Sequence, residues 1–334
     1  MKAVVLYEHG GPDKLVYESD YPDPQVTEGH VVLRVRATSL NYHDIFTRRG
    51  MPGIKVPLPV IIGLDLAGEI AEIGPGVDGW KIGDRVLVNP IHPQKGLMGE
   101  MLNGGLAEYA LVSAQQLIPI PEGVSFEQAA SLPVAYGTAH RMMFTNGWIK
   151  AGEKVFILGA SGGVGTCCVL LAKMAGCETI VAASSEEKLQ RLYELGADWG
   201  VNYATQQFEK VIWERCGKPH RRNYDGGVDV VVNFTGGDTW VPSLKALKRG
   251  GRLLTCGATA GYDPKEDIRY IWTFELKILG SNSWTREDLE TLMRLIQEGR
   301  MDPVIDRVLP LSEAQEGLRL IEDREVFGKV VITP

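Results

Sequence analysis

The stretch KVFILGASGGVG, residues 154–165, reads as a buried strand, a glycine turn and the first turn of a helix. A run as apolar as KVFIL suits a strand covered on both faces. Glycines directly after it let the backbone approach a pyrophosphate, and the amide groups and dipole of the following helix favour that anion. The uncharged run continues from Val155 to Ala172 and reaches the lower limit for a membrane span. Its four glycines, with Ser161 and Thr166, fit a strand, turn and buried helix better, and no membrane association is expected.

Downstream, strands and helices alternate. TIVAAS (179–184) precedes EEKLQRLYELG, in which Leu189, Leu192 and Leu195 fall at helical spacing and Gly196 stops the helix. WGVNY (199–203), a helix near 205–216, VDVVVNF (228–234), a helix ending near Lys248, RLLTC (252–256) and LKILGS (276–281) follow. Six strands with helical crossovers predict a doubly wound parallel sheet. An NAD site would place an acid at the end of the second strand, about 20 residues past the glycines. Here the strand ends Ser184-Ser185-Glu186-Glu187-Lys188, and two hydroxyls with a lysine suit a 2′-phosphate, hence NADPH. The plainer readings are a helix N-cap for Ser184 or Ser185 and a solvated side chain for Lys188.

Upstream, the first ~120 residues are short β-runs broken by Gly and Pro, such as VVLRVRATSL (31–40) and DRVLVNP (84–90). The texture changes at Ser125, where Ser125-x-x-Gln128 is a capping box. The last ~50 residues add a helix from Arg286 to Gln297, a second capped helix at Ser312 and a final strand, GKVVIT, expected to return to the β-rich part. The 334 residues thus divide into a β-rich domain, 1–124 with 283–334, and an inserted nucleotide domain, 125–282. Composition agrees with a folded protein, at 44% hydrophobic and 23% charged. A net charge of −7 argues against nucleic acid as a partner. Five cysteines without CxxC spacing, and no signal-peptide pattern, point to the cytoplasm.

Seven segments carry a family resemblance: SLNYHD (39–44), GLDLAGEIAEIGPGV (63–77), Gly83-Asp84, GGLAEYALV (104–112), AASLPVAYGTAH (129–140), GASGGVG (159–165) and GKVVI (328–332). End to end, the chain resembles the medium-chain dehydrogenase/reductase superfamily, and most closely its zinc-independent quinone oxidoreductase and enone reductase branch. The resemblance implies a GroES-like catalytic domain, a Rossmann domain, a cleft between them, and a homodimer or homotetramer joined near LKILGS. Zinc-dependent relatives carry metal ligands where this chain has Asn41, Leu64-Asp65 and Val134, and a four-cysteine lobe where it reads PIHPQKGLMGEMLNG. No metal is expected, since a catalytic zinc needs three ligands.

Hydride delivery without a metal suits an acceptor that is already electrophilic, namely a quinone, an enone or an enoyl thioester. The resemblance assigns oxyanion support to Asn41 and pocket lining to Phe46; beside them, Tyr42 can protonate an enolate and His43 can relay a proton, though solvent can do either job. The resemblance places Tyr136, Thr138 and Tyr203 beside the cofactor; the glycine turn adds Ser161, Gly162, Gly163 and Val164, the second strand end Ser184 and Lys188, and the later strand ends Phe234, Cys256, Gly257, Ala258, Ser281 and Asn282, with Lys329 also expected there. Each also has an ordinary reading as a turn or strand-end residue. Arg48, Arg49 and Lys55 are candidates for a thioester's phosphates. The expected activity is an NADPH-dependent reductase of a quinone or of the C=C of an α,β-unsaturated carbonyl. An enoyl-CoA reductase is the alternative within the enzyme class, and a non-catalytic NADPH-binding or RNA-binding protein the alternative outside it.

Overall fold

Near-continuous apolar runs alternating with amphipathic ones build a six-stranded parallel sheet, as expected. Its order is Trp199–Asn202, Glu178–Ala183, Lys154–Ile157, Val228–Val232, Leu247–Thr255, Lys277–Gly280. The third strand by sequence lies at one edge and the order reverses beside the first, which is the Rossmann arrangement. Phe156, Ile180, Val201, Val231 and Leu253 form its core with Phe208, Ile212 and Leu244 from the covering helices. Burying each such side chain contributes about 1.5–3 kcal/mol. Cys167 and Cys168 are fully buried on the helix Gly163–Met174. The helix Glu186–Glu194 buries Leu189 and Leu192, and Ser185 caps it by accepting from the Lys188 N–H at 3.2 Å.

The computed structural model describes residues 1–334 and divides them into two compact units. The parallel sheet belongs to Gly137–Thr285; Met1–Tyr136 and Arg286–Pro334 make the other. In that second unit the strands run in the order Leu117–Pro119, Arg85–Val88, Asp65–Ile73, His30–Ser39, Lys329–Thr333, Ile305–Pro310, with Tyr109–Ser113 also on His30–Ser39. Ser39 lies opposite Asp65 on one side and Val331 on the other. The strand Lys329–Thr333 therefore lies between His30–Ser39 and the edge strand Ile305–Pro310.

The capping box at Ser125 forms, with Gln128 N–H donating to Ser125 Oγ at 3.1 Å and Ser125 N–H to Gln128 Oε1 at 2.9 Å. Its helix, Phe126–Ala130, was expected to open the nucleotide domain, yet it lies in the β-rich unit. Gln128 Nε2 ties it there by donating to Asp302 Oδ1 at 2.8 Å, and in the next segment the Val304 N–H donates to the Tyr136 hydroxyl at 2.8 Å. Ser312 falls inside a 3-10 turn, Leu311–Glu313, and the helix Ala314–Glu322 starts without a side-chain cap. No helix is long and apolar enough to cross a membrane.

Candidate active site

Asn41 follows the strand His30–Ser39 and N-caps the helix Tyr42–Arg49. Its backbone N–H donates to Asp44 Oδ2 at 2.8 Å, the return arm of a capping box. Asp65, fully buried at the start of the neighbouring strand, collects the surrounding donors. Its Oδ1 accepts from the Val134 N–H at 2.9 Å. Its Oδ2 accepts from Ser39 Oγ at 2.7 Å, Asn41 Nδ2 at 2.8 Å and the Lys329 ammonium at 3.4 Å. Lys329 is 2% exposed and also donates to Leu40 O at 2.9 Å and Asn41 Oδ1 at 2.6 Å. Burial pulls the Lys329 pKa below the ordinary lysine value, against the opposing pull of Asp65 and Asp44.

This network revises two expected roles. Asn41 Nδ2 donates to Asp65 and, at 3.3 Å, to Ser39 O, so neither amide hydrogen is left for an oxyanion. Lys329 spends its three donors inside the β-rich unit rather than on a cofactor. The basic cluster is revised as well. Arg48 is buried with Nη2 at 3.0 Å from both oxygens of Glu322, and Arg49 pairs with the same carboxylate. Two arginines that hold one glutamate are anchors of the helix, while Lys55, also exposed, takes no part in that pair.

Three side chains of the same helix remain for chemistry. Tyr42 and Phe46 are half-buried and meet edge to face, centroids 5.1 Å apart. His43 Nε2 lies 2.7 Å from Glu100 Oε2, and Glu100 is buried. Burial lowers the His43 pKa, but the hydrogen bond and charge of Glu100, with Asp44 and Asp65 behind, outweigh it and hold the imidazole above its usual value. Asp44 is fully buried with Oδ1 unpaired; burial pushes its carboxyl up to about 6, although the Asn41 N–H and His43 favour the ionised form. A folded-state value above the ordinary 3.8 means the folded protein holds this proton more tightly than the unfolded chain. Asp44 therefore costs stability as pH rises from about 4 to about 6. Melting temperatures of the wild type and Asp44→Asn should diverge in the variant's favour across that window and run parallel above it.

No group of three or more His, Cys, Asp or Glu side chains is placed to hold a metal ion. The residues do not fit a catalytic zinc: Asp65 faces an ammonium, and His43 faces Glu100.

In the Rossmann unit the glycine turn is shaped for close approach. Gly159 has φ +65°, and a Cβ there would meet the Phe234 ring at 3.1 Å. A Cβ on Gly165 would overlap the Gly159 carbonyl oxygen and lie 2.6 Å from Ala160 Cα. Gly162, the N-cap, has an ordinary extended backbone, and a Cβ there meets only Gly159 O at 3.6 Å. Ser161, Gly163 and Val164 are partly exposed around it. This cradle fits a dinucleotide's pyrophosphate. At the second and third strand ends Ser184 and Tyr203 are exposed, Lys188 is half-buried, and Glu186 is held by Asn202 Nδ2 at 2.9 Å.

Other expected cofactor residues have their own partners. The Ser281 hydroxyl accepts from Asn146 Nδ2 at 2.9 Å, and Thr138 is buried. Gly257 and Asn282 are exposed, and Phe234 and Ala258 half-buried, at their strand ends. Burial pushes the Cys256 thiol up to about 12, so it is no nucleophile at neutral pH. Tyr136 is fully buried. Sequence reasoning missed the roles of Ser39, Asp65 and Glu100; the one signal was Asp65 itself, an acid inside the apolar run VIIGLDLAGEI.

Residues 27–122 match the alcohol dehydrogenase GroES-like domain, and residues 163–298 the family described as zinc-binding dehydrogenase. The acryloyl-coenzyme A reductase of Sulfurisphaera tokodaii is 32% identical over all of both chains. The quinone oxidoreductase of Mus musculus is 31% identical, covering 99% of this chain and 97% of its own. Among solved structures, one described as an NAD-dependent alcohol dehydrogenase superposes over the full length of both chains with a TM-score of 0.91 and 35% identity. With a GroES-like unit, a Rossmann unit and full-length relatives of this kind, the chain belongs to the medium-chain dehydrogenase/reductase superfamily and is an oxidoreductase of that type.

Proposed function

We propose that the protein uses NADPH to reduce the C=C of an α,β-unsaturated carbonyl compound, an enoyl thioester foremost. The observation that carries the reading is the centre of the β-rich unit: Lys329, Asp65 and Asn41 close on one another where a zinc site would need ligands. An acceptor polarised by its own carbonyl is the one such a site can serve. Bound at the glycine turn, the reduced nicotinamide supplies hydride. The chain's residues hold the pyrophosphate on the first amides of the helix Gly163–Met174 and present hydroxyls and Lys188 to the 2′-phosphate. Tyr42 and Phe46 offer an aromatic wall to the acceptor. The acryloyl-CoA reductase supports a thioester; the mouse quinone oxidoreductase supports a quinone as the second reading.

The test follows the absorbance of the reduced nicotinamide with crotonyl-CoA, a simple enone and an ortho-quinone, using NADPH and NADH, before and after chelation. Turnover of crotonyl-CoA with NADPH that survives chelation is the expected result. Preference for the quinone selects the second reading. Loss on chelation, or tight NADPH binding with no turnover, overturns both. Lys188→Glu should lower kcat/KM for NADPH by ~10-fold or more and leave NADH nearly unaffected, because a 2′-phosphate loses a charge-assisted partner.

A further inference from the structure

Reduction of a conjugated C=C adds a hydride at one carbon and a proton at the adjacent carbon or the carbonyl oxygen. The chain must supply that proton, and most polar groups beside the helix Tyr42–Arg49 are already committed. Asn41 has no amide hydrogen left, and the Lys329 ammonium has used three donors. Asp65 accepts on both oxygens. Asp44 Oδ1, Thr47 Oγ1 and Arg48 Nε and Nη1 are unpaired, but these side chains are buried away from any acceptor. Of the groups that keep accessible surface, the Tyr42 hydroxyl and His43 Nδ1 remain.

We infer that His43 is the proton donor of this reduction and that Glu100 is its positioning residue; the inference rests on the reductase reading above. Glu100 is 5% exposed and His43 is its hydrogen-bond partner. A carboxylate buried this deeply is stable only beside a cation, so the pair favours imidazolium. The bond engages Nε2 and leaves Nδ1 as the exchanging nitrogen, on a side chain that keeps 26% of its surface accessible. The charges facing the ring are all acidic: Glu100 directly, with Asp44 and Asp65 behind it and Lys329 screening the two aspartates. Tyr42 has no such charged partner and only meets the Phe46 ring edge to face.

As the C=C pair shifts toward the carbonyl, the new C–H or O–H bond takes the proton and the Nδ1–H bond breaks. Its electrons stay on Nδ1, and a neutral ring remains with Nε2–H still on Glu100. Water then restores the proton at Nδ1, and the hydride comes from the reduced nicotinamide dinucleotide.

Two variants test this in the full-length protein. First, labelled-histidine NMR titration without cofactor assigns His43 among the six histidines by its loss in His43→Gln. Glu100→Gln should lower its pKa. Second, kcat and kcat/KM are measured against pH. Because the protonated ring acts, wild-type activity falls as pH rises through the His43 pKa, and Glu100→Gln moves that alkaline limb to lower pH. His43→Gln should remove the limb and lower kcat ~10²-fold, with NADPH affinity retained and the melting temperature lowered, because Glu100 loses its cation. A His43→Gln enzyme within ~3-fold of wild type, with the limb intact, overturns the inference alone. So does a Glu100→Gln limb that stays put while the ring's titration moves. Wild type inert toward every acceptor overturns the reductase reading and this inference together.

Discussion

Gly165→Ala should abolish nicotinamide binding and destabilise the Rossmann unit at once. A Cβ at Gly165 would occupy the place of the Gly159 carbonyl oxygen and press on Ala160 Cα, both backbone atoms that no rotamer change can move. The helix Gly163–Met174 must then slide away from the strand Lys154–Ile157, and overpacking of this kind costs ~1–3 kcal/mol. The amides that receive the pyrophosphate move with the helix, so affinity falls ~10²-fold or more for a misplaced anion site. Gly162→Ala is the matched contrast. Its backbone is already extended and its Cβ would touch only Gly159 O at 3.6 Å, so the fold tolerates it. Any loss of cofactor affinity there reports the ligand's own approach. Melting temperature with fluorescence titration of NADPH separates the two: Gly165→Ala loses both, Gly162→Ala only affinity. A Gly165→Ala protein with wild-type melting and binding would refute the close approach.

The second large effect lies at the buried pair. Asp65→Asn leaves the Lys329 ammonium 2% exposed with neutral partners alone, and Lys329→Met leaves Asp65 without its cation. Breaking a buried pair from either side costs ~3–5 kcal/mol, because an uncompensated charge remains inside. Urea denaturation should show each single variant at a much lower midpoint with an unchanged slope. The double variant Asp65→Asn/Lys329→Met should recover part of the loss, and that non-additivity measures the coupling. Both singles should also lower kcat, since Asn41 and the first turn of its helix are positioned by this pair. Strict additivity would show that the two residues do not act together.

Local patterns were legible in the sequence where a short segment decides the outcome. The apolar run Lys154–Ile157, the glycine turn and the leucine spacing of the helix Glu186–Glu194 depend on neighbours within a few residues, and each forms as read. Ser125 caps its helix for the same reason. What could not be read depends on pairing across the chain. The sequence shows Asn41 as a polar residue before a helix, but its amide hydrogens go to Ser39 O and to Asp65, 24 positions away. Lys329 looks like a strand residue near a cofactor until Asp65, 264 positions earlier, claims it. Arg48 and Arg49 look like a phosphate site until Glu322 arrives from the C-terminal helix. Register brings these groups together, and register in a β-rich unit is fixed by the whole sheet.

The pairing of Lys329–Thr333 beside His30–Ser39 also sets an order of events during synthesis. As the chain leaves the ribosome, Gly137–Thr285 emerges as one continuous stretch and holds everything its parallel sheet requires. The β-rich unit must wait. Asp65 and Ser39 are made early, but the ammonium that pairs with Asp65 comes 264 residues later, after the whole nucleotide-binding unit. Until then Asp65 faces water or a chaperone rather than an interior. A chain stalled or clipped before Lys329 would carry a finished nucleotide-binding half and an open, charge-unbalanced sheet, a clear mark for proteolysis.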